Sequence, residues 1–531
     1  MSRFRSLGVV AVVGLAALVL VPHLGRYALW DPDEARHAEV ARETFTAGSW
    51  HGWIVPSLDF RPYHDKPMLF YWLVSVAYAV GGVCEAAARS VPAIAATLTA
   101  LVVQSVARRA WDAGTGLAAA AVLLTAIEFA GLGRYADLNM TLTLWVTLGL
   151  ASAYRWTRAP SVGPALVAAA AAAAGMLTKG LVAPVLVIGI PLVHLVLTGR
   201  LALARRVPWA RAALVFLLVA GPWYVTAGLL DPAYLRDFFV RHHVERFVSA
   251  RSLLHAKSVF FYLPIVIGGF FPWSLLLPAT VSATLARGRR GDAETFCACW
   301  ALGVLAFFTL SSGKLGTYIL PAFPPLALLT GRLLGRIAAG DVTLRDRRLL
   351  RAGLVGIALT FLAATPGLLA VAARFHAGAW RPLAWLALIL VPFAGAILWL
   401  VYRDRSAAAG VVVTLGMVTV IFVFYRWAAP RISEVQSEAP LARAIAAAGD
   451  EAAVAPILAY SVRTPSLLFY LGRRVEPADR PEHLVRALAE HPLVFVVTSA
   501  RHVPDLEATR RLWPWRTGGH HLLYASRPLH D

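Results

Sequence analysis

Apolar runs of about 20 residues, separated by short polar loops, recur along the chain between residues 7 and 426. A helix needs roughly 20 mostly apolar residues to cross a bilayer, and about thirteen runs meet that requirement. The predicted spans are 7–29, 88–107, 114–132, 139–157, 161–177, 180–198, 209–229, 259–282, 294–311, 317–336, 351–372, 382–401 and 407–426. Because 58% of the residues are hydrophobic and only 15% are charged, composition agrees with the pattern. We predict an all-α polytopic membrane protein.

Two longer segments, 30–87 and 230–258, interrupt this pattern as predicted outer loops, and the first is too polar at its start to cross a bilayer. In the first segment a helix is predicted with Asp31 as its N-cap and Pro32 in its first position. The apolar stretch 67–82 is short for a span, so we expect it to lie in the membrane interface or to re-enter it.

The composition changes after residue 430, where ordinary polarity and short alternating elements replace the apolar runs. Strands are predicted at 452–460, 493–498 and 522–525, and helices at 464–471 and 482–490. We therefore predict a transmembrane domain over 1–430, which includes both long loops, and a small α/β domain over 431–531.

Arginine-rich loops set the predicted orientation, since cytoplasmic loops carry the excess of Lys and Arg. The loops in question contain Arg108 and Arg109, Arg155 and Arg158, Arg200, Arg205 and Arg206, Arg287, Arg289 and Arg290, Arg345, Arg347 and Arg348, and Arg403 and Arg405. With the N-terminus in the cytoplasm all of them face inward, and the C-terminal domain lies outside. This bias accounts for much of the net charge of +20, so membrane lipids rather than nucleic acid are the predicted partners.

The chemically interesting side chains fall together on the predicted outer side. They are Asp33, Glu34, Asp65, Lys66, Asp137, His242, His243, Arg246, Lys314 and Tyr318. Carboxylates can take a proton from an acceptor or hold a divalent cation, and Lys and Arg can neutralise a phosphate. A departing phosphate requires such stabilisation, so the set favours group transfer from a lipid phosphate.

Other interpretations of these residues remain open at this point. Asp33 and Glu34 could merely complement a helix dipole, and His242 and His243 could lie on a solvated surface helix. The whole chain could also be a multispan lipid or solute transporter, although that class places charge near the bilayer midplane and shows repeat symmetry. A third interpretation is an envelope scaffold whose C-terminal domain recruits partners.

No nucleotide cofactor is predicted. The G-x-G-x-x-A sequences that begin at Gly114 and Gly131 lie at the ends of an Ala-rich span and do not follow a soluble strand, which is the context a dinucleotide site requires. The chain also lacks a Walker motif. Its three cysteines form no disulfide framework.

Several short motifs follow one another in order along the first 330 residues. They are Asp33-Glu34-Ala-Arg, Gly48-Ser-Trp, Trp53-Ile-Val-Pro, Tyr63-His-Asp-Lys66-Pro67, Leu177-Thr-Lys179-Gly180, Pro222-Trp223-Tyr224, His243-Val-Glu-Arg246-Phe247, Tyr262-Leu-Pro264, Phe271-Pro-Trp273-Ser and Lys314-Leu-Gly-Thr-Tyr318-Ile-Leu-Pro321. Together they resemble the polyprenyl-phosphate-dependent glycosyltransferases. The pattern is most similar to the bacterial aminoarabinose transferases of lipid A, and more distantly to the protein O-mannosyltransferases.

The resemblance implies a GT-C fold in the bacterial inner membrane, with a periplasmic active site and a donor sugar linked to undecaprenyl phosphate. It implies that Asp33, with Glu34 beside it, is the catalytic or acceptor-orienting carboxylate, and that Asp137 is the second acidic residue. Lys66, Arg246 and Tyr318, together with Lys314, would bind the lipid phosphate.

The resemblance also leaves room for one divalent cation. Aminoarabinose transferases carry a metal-linked Glu where this chain has Asp65, so Asp65, His242 and His243 are the candidate ligands. The predicted reaction is the inverting transfer of a hexose or pentose to lipid A, another glycolipid, a glycan or a protein.

Overall fold

The computed structural model describes residues 2–238, 258–286, 291–311, 313–374, 381–507 and 512–528. Its helices are α1 Ser2–Leu20, α2 Asp33–Thr46, α3 Leu69–Gly81, α4 Glu85–Ala110, α5 Ala113–Thr125, α6 Ile127–Leu132, α7 Leu138–Arg158, α8 Val162–Lys179, α9 Val182–Leu197, α10 Trp209–Leu230, α11 Pro232–Arg236, α12 Tyr262–Gly269, α13 Leu277–Leu285, α14 Asp292–Leu310, α15 Phe323–Ala338, α16 Leu344–Arg374, α17 Arg381–Tyr402, α18 Ser406–Val423, α19 Ala429–Gln436, α20 Ala439–Ala447, α21 Asp450–Val454, α22 Pro465–Leu471, α23 Pro481–Glu490 and α24 Val503–Glu507. Its strands are β1 Ser57–Leu58, β2 Arg61–Pro62, β3 Ile457–Tyr460, β4 Glu476–Ala478, β5 Phe495–Ser499, β6 Trp513–Gly518 and β7 His521–Ala525.

The chain divides into two compact units. The membrane unit consists of Met1–Pro22, His64–Phe70 and Val91–Phe424, and the mixed unit consists of His23–Tyr63, Tyr71–Ser90 and Tyr425–Asp531. Parts of the long loop 30–87 thus group with the C-terminal segment. The boundary predicted at residue 430 stays a prediction.

Long apolar helices dominate the membrane unit, as the hydrophobic pattern predicts. Within the described ranges, seven helices have the length and composition to cross a membrane, and an eighth span results if one bent pair is counted as a single crossing. Shorter apolar helices such as Ala113–Thr125 and Val182–Leu197 lie among them. The architecture is therefore that of a multispan helical membrane protein, and the count of thirteen stays a prediction.

Two of the predicted spans are broken rather than continuous. The span predicted at 259–282 is a pair of helical segments, Val259–Gly269 and Trp273–Leu285, that meet at 107°. Pro272 lies in the break, where its missing N–H cannot continue a helix. The span predicted at 114–132 divides at Ala126, whose backbone is extended between α5 and α6.

Polar caps define several helix ends in the membrane unit. The Asp112 carboxylate accepts a hydrogen bond from the Thr115 amide at 2.8 Å at the start of α5. The Asp137 carboxylate accepts one from the Asn139 amide at 2.6 Å at the start of α7. Both caps satisfy amides that a helix leaves unpaired at its N-terminus.

Small residues allow α5 and α15 to pack closely. A Cβ at Gly331 on α15 would lie 2.6 Å from the backbone nitrogen of Ala119 on α5. Only glycine therefore permits this approach of the two backbones, and a larger residue would push the helices apart.

The mixed unit contains a five-stranded sheet with the order β4-β3-β5-β7-β6. Strands β4, β3 and β5 are parallel, with Ile457 opposite Phe495, and β7 and β6 continue the sheet in antiparallel pairing. Alternate residues face opposite sides of a strand, so Ile457 and Ala459 join one apolar core, while Leu458 and Tyr460 join the other. Part of the strand predicted at 452–460 is instead the helix α21.

Asp31 does not cap α2 as the sequence pattern predicts. Pro32 occupies the N-cap position, without a side-chain cap, and α2 begins at Asp33. The Asp31 carboxylate instead accepts hydrogen bonds from the Ser466 amide, at 3.0 Å, and from the Ser466 hydroxyl. A partner 435 residues away replaces the local cap, which no local pattern could indicate.

Candidate functional site

The N-terminal end of α7 carries one half of the candidate site in the membrane unit. The Asn139 amide side chain donates to the Asp137 carboxylate and to the Thr317 hydroxyl, the latter at 3.2 Å. The Lys179 ammonium, at the last residue of α8, donates to the Asn139 side-chain oxygen. Lys179 also lies over the Tyr318 ring, with its nitrogen 4.1 Å from the ring centroid.

Because Asp137 both caps α7 and binds the Asn139 side chain, its carboxylate fixes the position of Asn139 and, through it, of Lys179. Asp137 is largely buried, and its Oδ1 accepts hydrogen bonds from both the backbone amide and the side-chain amide of Asn139. The series of contacts from Asp137 through Asn139 leads to the Lys179 ammonium, which lies over the ring of Tyr318. A cation beside a phenol is suited to bind an anionic oxygen.

Lys66 belongs to a second group in the same unit. Its ammonium donates to the Asp65 carbonyl at 3.0 Å, and its own carbonyl accepts a hydrogen bond from the Tyr234 hydroxyl at 2.8 Å. The preceding residue but one, His64, lies between two carboxylates. Its Nε2 is 2.7 Å from Asp231 and its Nδ1 is 3.0 Å from Asp237.

The His64 contacts attach the loop that carries Lys66 to the segment around α11. The His64 ring also packs edge-on against Tyr234, with centroids 5.3 Å apart. Asp231 itself caps α11 by accepting from the Ala233 amide at 3.0 Å. Two sets of contacts therefore fix the backbone around Lys66. His64 binds Asp231 and Asp237, and the Lys66 carbonyl binds Tyr234.

Aromatic residues link the two groups. Tyr234 packs against Trp223 of α10 with centroids 5.4 Å apart, and Trp223 contacts Tyr224 at 4.7 Å. The Tyr224 hydroxyl donates to the Met176 carbonyl at 3.1 Å, within the last turn of α8 that ends at Lys179. Packed aromatic side chains thus connect the backbone at Lys66 with the last turn of α8, which ends at Lys179.

Lys314 lies in the turn that follows α14 and is largely buried. Its ammonium is 3.5 Å from the Ser258 carbonyl. Lys314 lies two residues before the 3₁₀ segment Gly316–Ala322, which contains Tyr318. It is therefore close in sequence to the ring that Lys179 contacts. Arg246, His242 and His243 lie outside the described residues.

Asp33 belongs to the mixed unit, where it is the first residue of α2. Its side chain is 43% exposed and pairs with Arg36 one turn later. A half-exposed carboxylate at a helix N-terminus is available to an acceptor, and it also complements the helix dipole. The geometry therefore permits both interpretations.

Glu34 has a different environment from its neighbour. Its side chain is 0% exposed, and its two oxygens accept from the Arg89 guanidinium at 2.7 and 2.9 Å. One of them also accepts from the Trp30 amide at 2.9 Å. Arg89 is equally buried, donates to the carbonyls of residues 24, 27 and 28, and lies over the Tyr27 ring at 3.6 Å. This geometry favours a structural role for Glu34, and its catalytic role stays a prediction.

Two other carboxyl groups of the mixed unit have raised pKa values. Burial raises the pKa of Asp31 to about 7, against the lowering effect of its bonds to Ser466. Burial likewise raises the pKa of Glu43 to about 7, although Ser57 donates to it at 2.5 Å. Both groups take up protons far more readily than exposed carboxylates.

The divalent cation stays a prediction. Among the residues that the structure describes, no three His, Cys, Asp or Glu side chains are grouped to hold a metal ion. Of the three candidate ligands only Asp65 is described.

Comparisons with known proteins bear on these groups. A family model described as dolichyl-phosphate-mannose-protein mannosyltransferase matches residues 65–225. An undecaprenyl phosphate-alpha-4-amino-4-deoxy-L-arabinose arabinosyl transferase of Pseudomonas aeruginosa (strain LESB58) is 34% identical over 367 residues, covering 66% of this chain and 64% of that protein. Its namesake in Pectobacterium carotovorum subsp. carotovorum (strain PC1) is 33% identical, covering 64% and 60%. The chain thus spans slightly under two thirds of the length of these curated relatives.

The solved structures extend the likeness to nearly the whole chain. The crystal structure of ArnT from Cupriavidus metallidurans bound to undecaprenyl phosphate superposes with a TM-score of 0.81 at 25% identity, covering 98% of both chains. The chain has the ArnT fold. An archaeal oligosaccharyltransferase, AglB from Archaeoglobus fulgidus, shares the fold more distantly, with a TM-score of 0.53 at 12% identity over 94% of this chain and 70% of that one. The predicted resemblance to the ArnT and mannosyltransferase superfamily is confirmed.

Sequence reasoning missed two contributors to the candidate site. Asn139 stands two residues after Asp137 and carries no motif of its own. His64 lies inside the motif that ends in Lys66, but its partners, Asp231 and Asp237, are 167 and 173 residues away in the chain. Lys179 was part of a recognised motif, and only the fold places it against Tyr318.

Proposed function

We propose that this protein is a multispan inner-membrane glycosyltransferase that moves a sugar from a polyprenyl phosphate to an acceptor of the bacterial envelope. The observation that carries the proposal is the likeness to ArnT with bound undecaprenyl phosphate, which extends over 98% of both chains. The named arabinosyl transferases support it and favour a transferase over a transporter or a scaffold.

The proposed step is an inverting displacement. The bond between the anomeric carbon and the phosphate oxygen breaks while the acceptor oxygen bonds to the same carbon from the opposite side. The electron pair of the broken bond leaves with the polyprenyl phosphate, whose added negative charge requires cations. The acceptor proton passes to a carboxylate, unless the acceptor is an anionic phosphate that needs no base.

In the membrane unit, the proposed phosphate ligands are Lys66 and Tyr318, with Arg246 and Lys314. The firm attachment of the Lys66 loop supports this role, because a cation held in place loses little freedom when the phosphate binds. Lys179 adds positive charge at Tyr318. Asp137 is the second acidic residue, and its bond to Asn139 positions Lys179.

In the mixed unit, Asp33 is the proposed acceptor-directed carboxylate, and its partial exposure supports that role. The donor sugar is proposed to be a pentose or hexose of the aminoarabinose kind. The acceptor is lipid A, another glycolipid, a glycan or a protein. The N-terminus is proposed to be cytoplasmic and the C-terminal segment periplasmic.

The test is mass spectrometry of envelope lipids, glycans and polyprenyl phosphates from bacteria that express the wild-type protein, Asp33→Asn or Lys66→Met. We expect a sugar-bearing envelope product to disappear in both variants while the glycosylated polyprenyl phosphate accumulates. Asp404→Asn is the matched control, since Asp404 is an exposed carboxylate that pairs with Arg347 and Arg351 outside the candidate site.

The outcome that contradicts the proposal is unchanged glycosylation in Asp33→Asn and Lys66→Met at wild-type protein levels. The transporter alternative would then be favoured, and transbilayer movement of labelled lipids would be measured next.

A further inference from the structure

A large cavity with basic walls lies in the membrane unit, and the proposed function does not use it. Its volume is about 1300 Å³. Five arginines line it: Arg109, Arg155, Arg158, Arg332 and Arg336. We call it the basic cavity.

The basic cavity lies at the end of the helices opposite to the candidate site. Arg109 is in the last turn of α4, Arg158 is the last residue of α7, and Arg336 is in the last turn of α15. The residues of the candidate site occupy the other ends, with Asp137 before α7 and Tyr318 before α15. With a rise of 1.5 Å per residue, the 21 residues of α7 separate the two ends by about 30 Å.

Two carboxylates in the cavity wall engage some of this positive charge. Asp292 pairs with Arg158 at 3.4 Å and with Arg200. Glu294 pairs with Arg336 at 3.1 Å and with Arg332 at 3.4 Å. The lining thus holds five guanidinium groups and two carboxylates. A third carboxylate, Asp112, lies 3.9 Å from Arg332 outside the lining, so an excess of positive charge remains.

Arg155 carries part of that excess. It is exposed and lies one turn before the end of α7, and its guanidinium forms no hydrogen bond or ion pair with the part of the chain that the structure describes. An arginine facing a cavity without a carboxylate partner is available for an anionic ligand.

The remainder of the wall is apolar. Val102, Val106, Leu148 and Val167 line the same cavity. Trp111 also lines it, and Arg332 lies over the Trp111 ring, 5.5 Å from its centroid. Arginines and apolar side chains in one cavity match an amphiphile whose head is anionic. A small free anion would gain no favourable contact from the apolar wall.

We propose that the basic cavity binds an anionic phospholipid, with the phosphate among the arginines and the acyl chains along the valine and leucine side chains. Guanidinium groups bind phosphate through paired, charge-assisted hydrogen bonds. Basic pockets between membrane helices suit such head groups. Because this site is separate from the proposed donor site, the bound lipid would contact the helices of the membrane unit and take no part in sugar transfer.

The test uses native mass spectrometry of the purified full-length protein in a non-ionic detergent. The probes are phosphatidylglycerol, phosphatidylcholine and inorganic phosphate, and none of them is the proposed donor. The wild type is expected to retain phosphatidylglycerol in preference to phosphatidylcholine. The double variant Arg109→Gln/Arg155→Gln is expected to bind phosphatidylglycerol at least about tenfold more weakly, because the loss of even one charge-assisted contact implies about tenfold and two arginines are removed.

The matched control is Arg205→Gln/Arg206→Gln, which removes the same charge from the 3₁₀ segment Leu201–Arg206 outside the cavity lining. It is expected to bind like the wild type. The variant Arg109→Lys/Arg155→Lys is expected to lose less affinity than the glutamine variant, because lysine keeps the positive charge but not the paired hydrogen bonds. Equal retention of phosphatidylcholine, or an equal loss in the control, would overturn the proposal. Displacement of phosphatidylglycerol by inorganic phosphate alone at a similar concentration would assign the cavity to a free anion instead.

Discussion

The buried pair of Glu34 and Arg89 allows a decisive test of what Glu34 does. Both side chains are 0% exposed, and Arg89 also binds the carbonyls of residues 24, 27 and 28. Arg89→Met therefore leaves an uncompensated carboxylate in the interior. Breaking a buried ion pair by removing one partner costs about 3–5 kcal/mol of stability.

For a folded unit of this size, each kcal/mol lowers the melting temperature by about 2–4 °C. Arg89→Met should accordingly lower the apparent melting temperature by about 6–20 °C. In the double variant Glu34→Leu/Arg89→Met neither charge of this pair remains, so part of the loss should be recovered. The remaining loss comes from the three carbonyls without a donor, at about 1 kcal/mol each.

The assay is thermal unfolding of the purified protein in detergent, followed by tryptophan fluorescence, with glycosyl transfer measured on the same samples. A structural Glu34 predicts that Glu34→Gln lowers the melting temperature and that the Arg89→Met and Glu34→Leu effects are strongly non-additive. Glu34→Gln with wild-type stability and abolished transfer would refute the structural interpretation and restore the catalytic one. Additive losses would show that the two side chains do not depend on each other.

Three further outcomes are expected. The pKa of Asp31 is raised to about 7 in the folded state, so its contribution to stability is complete below about pH 4 and is lost as the pH rises through 7. In Asp31→Asn the melting temperature should therefore vary less with pH between about pH 5 and 8 than it does in the wild type. His64→Gln should raise KM for the lipid donor more than it lowers kcat, since it loosens Lys66 without touching the reacting atoms, and an unchanged KM would contradict this. Gly331→Ala should lower the melting temperature by overpacking two helix backbones, whereas the control Gly395→Ala, where a Cβ meets nothing within 4 Å, should not.

The motifs in the sequence were sufficient to predict the superfamily and several residues of the candidate site. Asp137 and Tyr318 were both predicted as site residues although they are 181 residues apart in the sequence. The structure connects them through Asn139 and Lys179. The roles predicted for Arg246, His242 and His243 stay predictions. Glu34 shows the opposite case, since a motif position beside Asp33 does not reveal that the side chain is buried against Arg89.

The helical membrane architecture was determined by the sequence itself, because apolar length and helix caps are local properties that each segment carries alone. The mixed composition after residue 430 likewise indicated short strands and helices. The tertiary structure alone decided which polar groups meet: Asp31 with Ser466, Glu34 with Arg89, and His64 with Asp231 and Asp237. The physical reason is that a buried or half-buried polar group takes its partner from whichever element packs against it, and sequence distance does not restrict that choice.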